Sequence, residues 1–303
     1  MNNNLYWVVY KNIEKEIIEL SNLIHFDDTQ LTIYSVRIAE LLIRTVVEIE
    51  SISKELYFLN GGEKPNDNEL YFDTDCLEFL ETKWLLSKKV VFVSAANFYF
   101  QQNENKILVP LKKANKRGSS SSDWQKAYQA VKHNRAKNLT KGNLKYLIRA
   151  SSALYILNIY YKDTKYNLGH ISTTSFDNSQ GSQIFSIKIH TNNTINIEGT
   201  QNKEDDYDEC IYLIHSTVES SEELISLLKT VNEEVNAKVS PIIQAMYPEL
   251  NITNLDDIND EVTPGLSTII EQHKIGILSS KAKMLEEAYS KLQNEAVPNK
   301  NQY

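Results

Sequence analysis

Apolar residues recur at helical spacing from Thr32 to Phe58. Ile38, Leu41, Leu42, Val46, Ile49, Ile52 and Leu56 cover one broad arc, which predicts a long central helix. Arg37, Arg44, Glu48 and Glu55 follow one another at 7, 4 and 7 residues, within about 40° around the axis, and form a narrow polar stripe beside that arc. Such a stripe either lines a cleft or interface or closes on itself, since Arg44 and Glu48 at i,i+4 can pair for about 0.3 kcal/mol. Asn60 to Asp73, with Gly61, Gly62 and Pro65, reads as a loop. Thr74 or Asp75 then caps a short helix through Leu86, with Glu78 three positions after Asp75. The period changes at Lys89 to Ser94 and at Phe98 to Phe100, which are β-branched and aromatic. With a turn at Gln101 to Asn105 and a further strand at Lys106 to Leu111, they predict a small antiparallel β element with Pro110 near its edge.

Ala114 to Ser122 is a polar connection with four consecutive serines, and Asp123 is a candidate N-cap for the helix that follows. Trp124, Tyr128, Val131 and Arg135 lie along one face, so the first three anchor this helix. After a second candidate cap at Thr140, Asn143 to Tyr161 is strongly apolar and is expected to pack against residues 32–58 as the core. Ile184 to Ile189, Thr194 to Glu198 and Ile211 to Ile214 are strand candidates, with a turn at Asn192 and Asn193 and an acidic excursion from Lys203 to Glu209. The tail returns to helix over Ser221 to Met246 and Thr268 to Asn294, separated by a loop containing Pro248 and Pro264. No sustained heptad register is present, so these helices form a docked pair, and the last eight residues are expected to fray. The expected fold class is α+β, mainly helical. Residues 1–165 form a helical domain with a β insertion at about 88–112, and residues 166–303 form a small β element followed by helices.

At 303 residues, 41% hydrophobic and 24% charged, the chain can bury an ordinary core without metal or disulfide staples, and the composition excludes disordered and collagenous classes. Cys76 and Cys210 form no CxxC or zinc set, and the apolar stretches are interrupted by charge, as at Arg44 and Glu48. A cytoplasmic location is therefore expected, with no signal peptide and no membrane span. The net charge of -8 hides a strong segregation. Residues 1–82 carry 6 basic and 16 acidic side chains, residues 83–149 carry 15 and 2, and the remainder carries 11 and 22. Only the middle segment can attract a polyanion, and the rival expectation is that it pairs with acidic neighbours inside the fold or across a dimer.

Phosphate loops, HExxH, GxSxG and calcium loops are absent, and the six histidines are too scattered for a local metal pair. No metal or cofactor is expected. The densest chemistry lies in Trp124 to Asn138, WQKAYQAVKHNRAKN. There His133 is the proton-exchanging group, and Lys132 and Arg135 are cations able to hold a phosphate and its developing charge. RNA cleavage by its own 2'-hydroxyl needs that combination and no metal. On an unbroken helix His133 stands about 200° from Arg135 but only about 100° from Lys132, so His133 and Arg135 share a phosphate only where the helix ends or kinks. Arg37, Arg44, Lys116, Arg117 and Lys137 are the candidate nucleic-acid contacts. His133 has two other readings, a hydrogen-bonded structural residue or an ordinary surface one.

TIYSVRIAELLIRTVVEIESISKELYF at 32–58, with DWQKAYQAVKHNRAKNLTKGNLKYLIRASSALYILNIYY at 123–161, resembles an uncharacterised bacterial branch related to HEPN proteins, over about 100 residues. The resemblance implies a HEPN-like helical bundle, often dimeric. It also implies a metal-independent ribonuclease or toxin-like protein of bacterial defence, with RNA, a second copy of the chain and an antitoxin or defence-system protein as expected partners. Active HEPN ribonucleases typically place a histidine four to six residues after an arginine, a spacing found at none of the arginines here. His133 and Arg135, in the reversed order H-N-R, are the nearest match. The alternative function is a non-catalytic interaction or scaffold protein, in which the Arg37–Glu55 stripe and the Trp124 helix serve packing.

Overall fold

The four helices that build the core each start on a side-chain cap. The computed structural model describes residues 4–65, 69–170, 176–191, 205–246 and 265–301. Asn4 accepts from the Trp7 amide at the start of α1 (Leu5–Ser21), and Ser35 accepts from Ile38 at the start of α2 (Val36–Leu59). A π-helical turn at Phe72–Leu77 runs directly into α3 (Glu78–Trp84), so neither Thr74 nor Asp75 is an N-cap. Both lie inside the turn, whose burial of Phe72, Cys76 and Leu77 sets its start. Ser122, not Asp123, caps α5 (Asp123–His133) in a reciprocal capping box with Gln125. Asn143, not Thr140, caps α7 (Leu144–Lys162) by accepting from Tyr146. The apolar arc expected on α2 is buried from Ile38 to Leu56. α7 is buried on nearly every side, the mark of a helix at the centre of a core. α2 and α7 pack along each other, as expected, and α1 and α5 close against both. Gly142 makes the turn before α7 possible: a Cβ there would stand 2.5 Å from the Ala39 Cβ and 2.9 Å from its Cα.

Two small sheets flank this core. In the first, β1 (Val91–Val93) lies between β2 (Ile107–Leu108) and β4 (Phe185–Ile187), antiparallel to both, with Val91 opposite Leu108 and Ile187. The expected β insertion therefore takes its third strand from beyond residue 165. Phe98 to Phe100 do not extend it. Phe98 makes an isolated bridge to Phe26, and both rings pack into an aromatic cluster with Phe100, so their burial comes from ring contacts and not from a ladder. The turn expected at Gln101 to Asn105 contains a single helical turn, α4 (Asn103–Lys106). The second sheet has the order β3-β7-β6-β5, formed by β3 (Tyr166–Gly169), β5 (Ile189–Thr191), β6 (Tyr212–Ser216) and β7 (Asn294–Pro298). The β5–β6 pair is parallel and the others are antiparallel.

β7 corrects the expectation that the last eight residues fray. Ala296 and Val297 are buried and the strand is paired on both edges, because β3 and β6 each present it with a row of otherwise open backbone groups. α8 (Val218–Met246) spans the first expected tail helix. The second is broken at Lys281 into α9 (Leu266–Ser280) and α10 (Ala282–Ser290). α9 and α10 dock on α8 through two clusters, Val231, Val235, Val239, Ile243 and Ile277, then Leu224, Leu228, Leu285 and Ala288. The fold is α+β and mainly helical. The strand expected at Thr194 to Glu198, the Asn192–Asn193 turn and the Pro248 and Pro264 loop lie outside the described residues. Among the described residues no helix is long and apolar enough to cross a membrane.

Candidate functional site

α5 is pinned before it can present any chemistry. The Trp124 Nε1 donates to the Pro110 carbonyl at 2.8 Å and the Gln125 Nε2 to that of Ala114 at 2.9 Å, while Tyr128 and Val131 are buried. The helix stops at His133. Asn134 leaves the helical region (φ -152°, ψ 80°), its side chain accepts from the Lys137 amide, and the four-residue turn α6 (Arg135–Asn138) starts in a new direction. Lys132 and His133 are left exposed on the last turn of α5.

Both open onto a cleft of about 490 Å³. Its walls are Glu50 and Lys54 of α2, the segment Glu69 to Asp73, Arg117, Gly118 and Ser121, and the polar face of α5 at Gln125 and Gln129. His133 has no hydrogen bond among the described residues. The Tyr128 hydroxyl beside Lys132 holds its ammonium above the ordinary amine range, and burial pushes that hydroxyl up in turn. Arg117 forms the opposite wall. Its Nε and Nη2 donate to the two Asp73 carboxylate oxygens at 3.1 and 2.8 Å, and its guanidinium carbon lies 3.7 Å from the Tyr71 ring centroid. The hydrogen bond to Asp73 raises the guanidinium further above its ordinary range.

The other sequence-derived candidates are elsewhere. Arg135 donates to the Glu40 carboxylate at 3.3 Å and does not line the cleft, so the helix stop at Asn134 separates it from His133 and does not bring the two together. Arg44 donates to Glu16 at 2.7 Å and Arg37 to the same carboxylate at 3.3 Å, which ties α2 to α1. The stripe is thus closed by α1 and not by an Arg44–Glu48 pair. Burial raises the Glu48 carboxyl, partly offset by the Arg44 charge. Lys116 pairs with Glu78 at 3.3 Å, and Lys137 is exposed on α6, outside the cleft. No protein-family model, curated protein or solved structure matches this chain.

Two features escaped the sequence. A second cleft of about 510 Å³ has Ser121 in common with the first and gathers Lys112, Lys113, Lys126 and Arg149 with Asp123 and Glu104. Arg149 is paired with Asp123. The density of lysines in residues 83–149 was the available signal. The second feature is a histidine, an aspartate and a cysteine brought together although the sequence offers no local metal set. The His190 Nδ1 lies 3.2 Å from the Asp206 Oδ1, and the Cys210 Sγ donates to the Asp206 carbonyl at 3.3 Å. Ligand atoms of the three lie within 4.8 Å of one another. Burial pushes the Cys210 thiol up to about 12. Burial also opposes ionisation of Asp206, but hydrogen bonds from His190 and Lys188 outweigh it and hold that carboxyl below its ordinary range. A DxxxC spacing at 206–210 is the only sequence trace of this cluster.

Proposed function

We propose that this protein is a cytoplasmic RNA-binding protein that cleaves phosphodiesters by acid–base chemistry at the α5 cleft. The observation that carries this reading is the pairing of Lys132 and His133, adjacent and exposed on the last turn of α5, at the mouth of one cleft. A phosphate held by Lys132 places its ester oxygens beside His133. The imidazole takes the 2'-hydroxyl proton as that oxygen attacks phosphorus and returns it to the 5'-oxygen as the phosphorus–5'-oxygen bond breaks, and the ammonium offsets the charge that builds on phosphorus. The products are a 2',3'-cyclic phosphate and a free 5'-hydroxyl. Arg135 is a strut to α2 in this scheme. The proposal extends to a role in bacterial defence, as a homodimer or beside an antitoxin, which rests on the HEPN-like resemblance of the segments that form α2, α5 and α7.

The test incubates wild type, His133→Ala, Lys132→Ala and Arg135→Ala with single-stranded and structured RNA, with and without a chelator. The expected result is cleavage that survives chelation, disappears in His133→Ala, falls by about 10²-fold or more in Lys132→Ala and persists in Arg135→Ala. Equal activity in all four proteins overturns the assignment. A second reading, a non-catalytic interaction or scaffold protein, is favoured by one specific observation: Arg37, Arg44, Lys116, Arg117 and Arg135 each bind a carboxylate of their own chain. RNA binding or cleavage absent from wild type would select it.

A further inference from the structure

We propose that His190, Asp206 and Cys210 form a binding site for one divalent transition-metal ion of the zinc type. The site is independent of the α5 cleft. Imidazole, carboxylate and thiolate are the three donors zinc takes in proteins, and around one tetrahedral ion they stand about 3.5 Å apart. Their present spread, within 4.8 Å, closes by about 1 Å on loading. The His190 side chain is 2% exposed and its Nδ1 lies 3.2 Å from the Asp206 Oδ1, so the buried imidazole already aims a ring nitrogen at the carboxylate that would share the ion. A divalent ion with one thiolate and one carboxylate is electrically neutral, which suits a site closed on the His190 and Cys210 sides. The Asp206 side chain is 37% exposed and supplies the way in, with room for water as the fourth ligand. Its other oxygen already accepts from the Lys188 Nζ at 3.2 Å, the outer contact that orients a ligating carboxylate. Loading transfers the Cys210 thiol proton to solvent as the metal–sulfur bond forms, so one proton leaves per ion and affinity increases with pH. The ion joins β5 to the residues that enter β6.

The full-length chain, dialysed against chelator, is titrated with Co²⁺. A sulfur-to-metal charge-transfer band that saturates at one equivalent and is displaced by Zn²⁺ is expected. The band persists in Cys76→Ser, vanishes in Cys210→Ser, and needs at least about tenfold more Co²⁺ in His190→Gln. Zn²⁺ should also raise the melting temperature of wild type. A wild-type titration with no saturable band overturns the site whether or not the variants fold, and so does a band that survives in folded Cys210→Ser. RNA cleavage at the α5 cleft is read separately and is unaffected by either result.

Discussion

Replacing Arg117 separates a phosphate ligand from a strut. Its guanidinium makes two charge-assisted hydrogen bonds to Asp73, whose side chain is 9% exposed, and stacks on Tyr71. Hydrogen bonds to charged groups contribute about 1.5–3 kcal/mol. The Arg117 side chain is itself 46% exposed, and solvent screening discounts that to about 1–2 kcal/mol. The stack on Tyr71 adds about 0.5–1 kcal/mol. Arg117→Met is therefore expected to lower unfolding stability by about 2 kcal/mol, because it leaves the Asp73 carboxylate buried with little besides the Thr74 amide as donor. Asp73→Asn costs about 1–2 kcal/mol, and the double variant costs less than the sum of the two, with a coupling of about 1 kcal/mol. Urea unfolding followed by tryptophan fluorescence measures all four proteins, and repeating it at high salt should leave most of the coupling, since one partner is out of solvent. Strict additivity of the two substitutions refutes the strut. So does an Arg117→Met protein of wild-type stability that has lost RNA affinity, which would return Arg117 to the role of a phosphate contact.

Two further substitutions test the fold that carries the cleft. Gly142→Ala places a methyl within 3 Å of two Ala39 carbons and should destabilise the protein by about 1–3 kcal/mol, read as a lower urea midpoint; an unchanged midpoint would mean that the turn and α2 separate freely. Lys89 is fully buried, its Nζ donating to the Asp208 and Cys210 carbonyls at 2.9 and 3.1 Å, and desolvation lowers its ammonium from 10.5 to about 8. Between those values the unfolded chain holds the proton that the folded chain has lost, so the contribution of Lys89 to stability increases with pH from about 8 to 10.5 and is least below 8. The stability of wild type relative to Lys89→Met should climb by up to about 3 kcal/mol over that window, whereas a difference that is flat in pH would show the amine to be charged throughout. Taking the difference cancels the buried tyrosines and thiols, which lose stability as pH rises.

The helical core was legible because burial and sequence period agree there. The arc from Ile38 to Leu56 and the run from Leu144 to Tyr160 have no competing reading, and each faces the other. β7 was illegible for the opposite reason. Asn294 to Pro298 reads NEAVP, two apolar residues beside a proline, and becomes a strand only because β3 and β6 flank it. Phe98 to Phe100 failed in the other direction, since aromatic content signals burial without specifying a ladder. At the cleft, the adjacency of Lys132 and His133 needed only the helical pitch. The fate of Arg135 turned on Asn134, whose side chain caps the following turn and redirects the chain, a competition between local hydrogen bonding and helix continuation that the period alone does not resolve.

The charge segregation is resolved by the fold in a way that narrows the chemistry. Part of the basic middle is matched to the acidic segments on either side: Lys116 and Arg117 reach Glu78 and Asp73, Arg135 reaches Glu40, and Lys88 reaches Asp208 at 2.6 Å. Such pairs are partly exposed and individually contribute little, but each removes a cation from those available to a polyanion. Among the described residues of the first cleft this leaves Lys132 and Lys54 without a carboxylate ion pair, and of the second Lys112, Lys113 and Lys126. These two groups line different clefts, which have Ser121 in common. A phosphate backbone drawn to the remaining charge would meet two lysine groups, and only one of the two clefts contains a histidine. On the proposed function, binding and cleavage are separable: neutralising the lysines of the second cleft should weaken RNA association and its salt dependence and leave the chemical step, assigned to His133, unchanged.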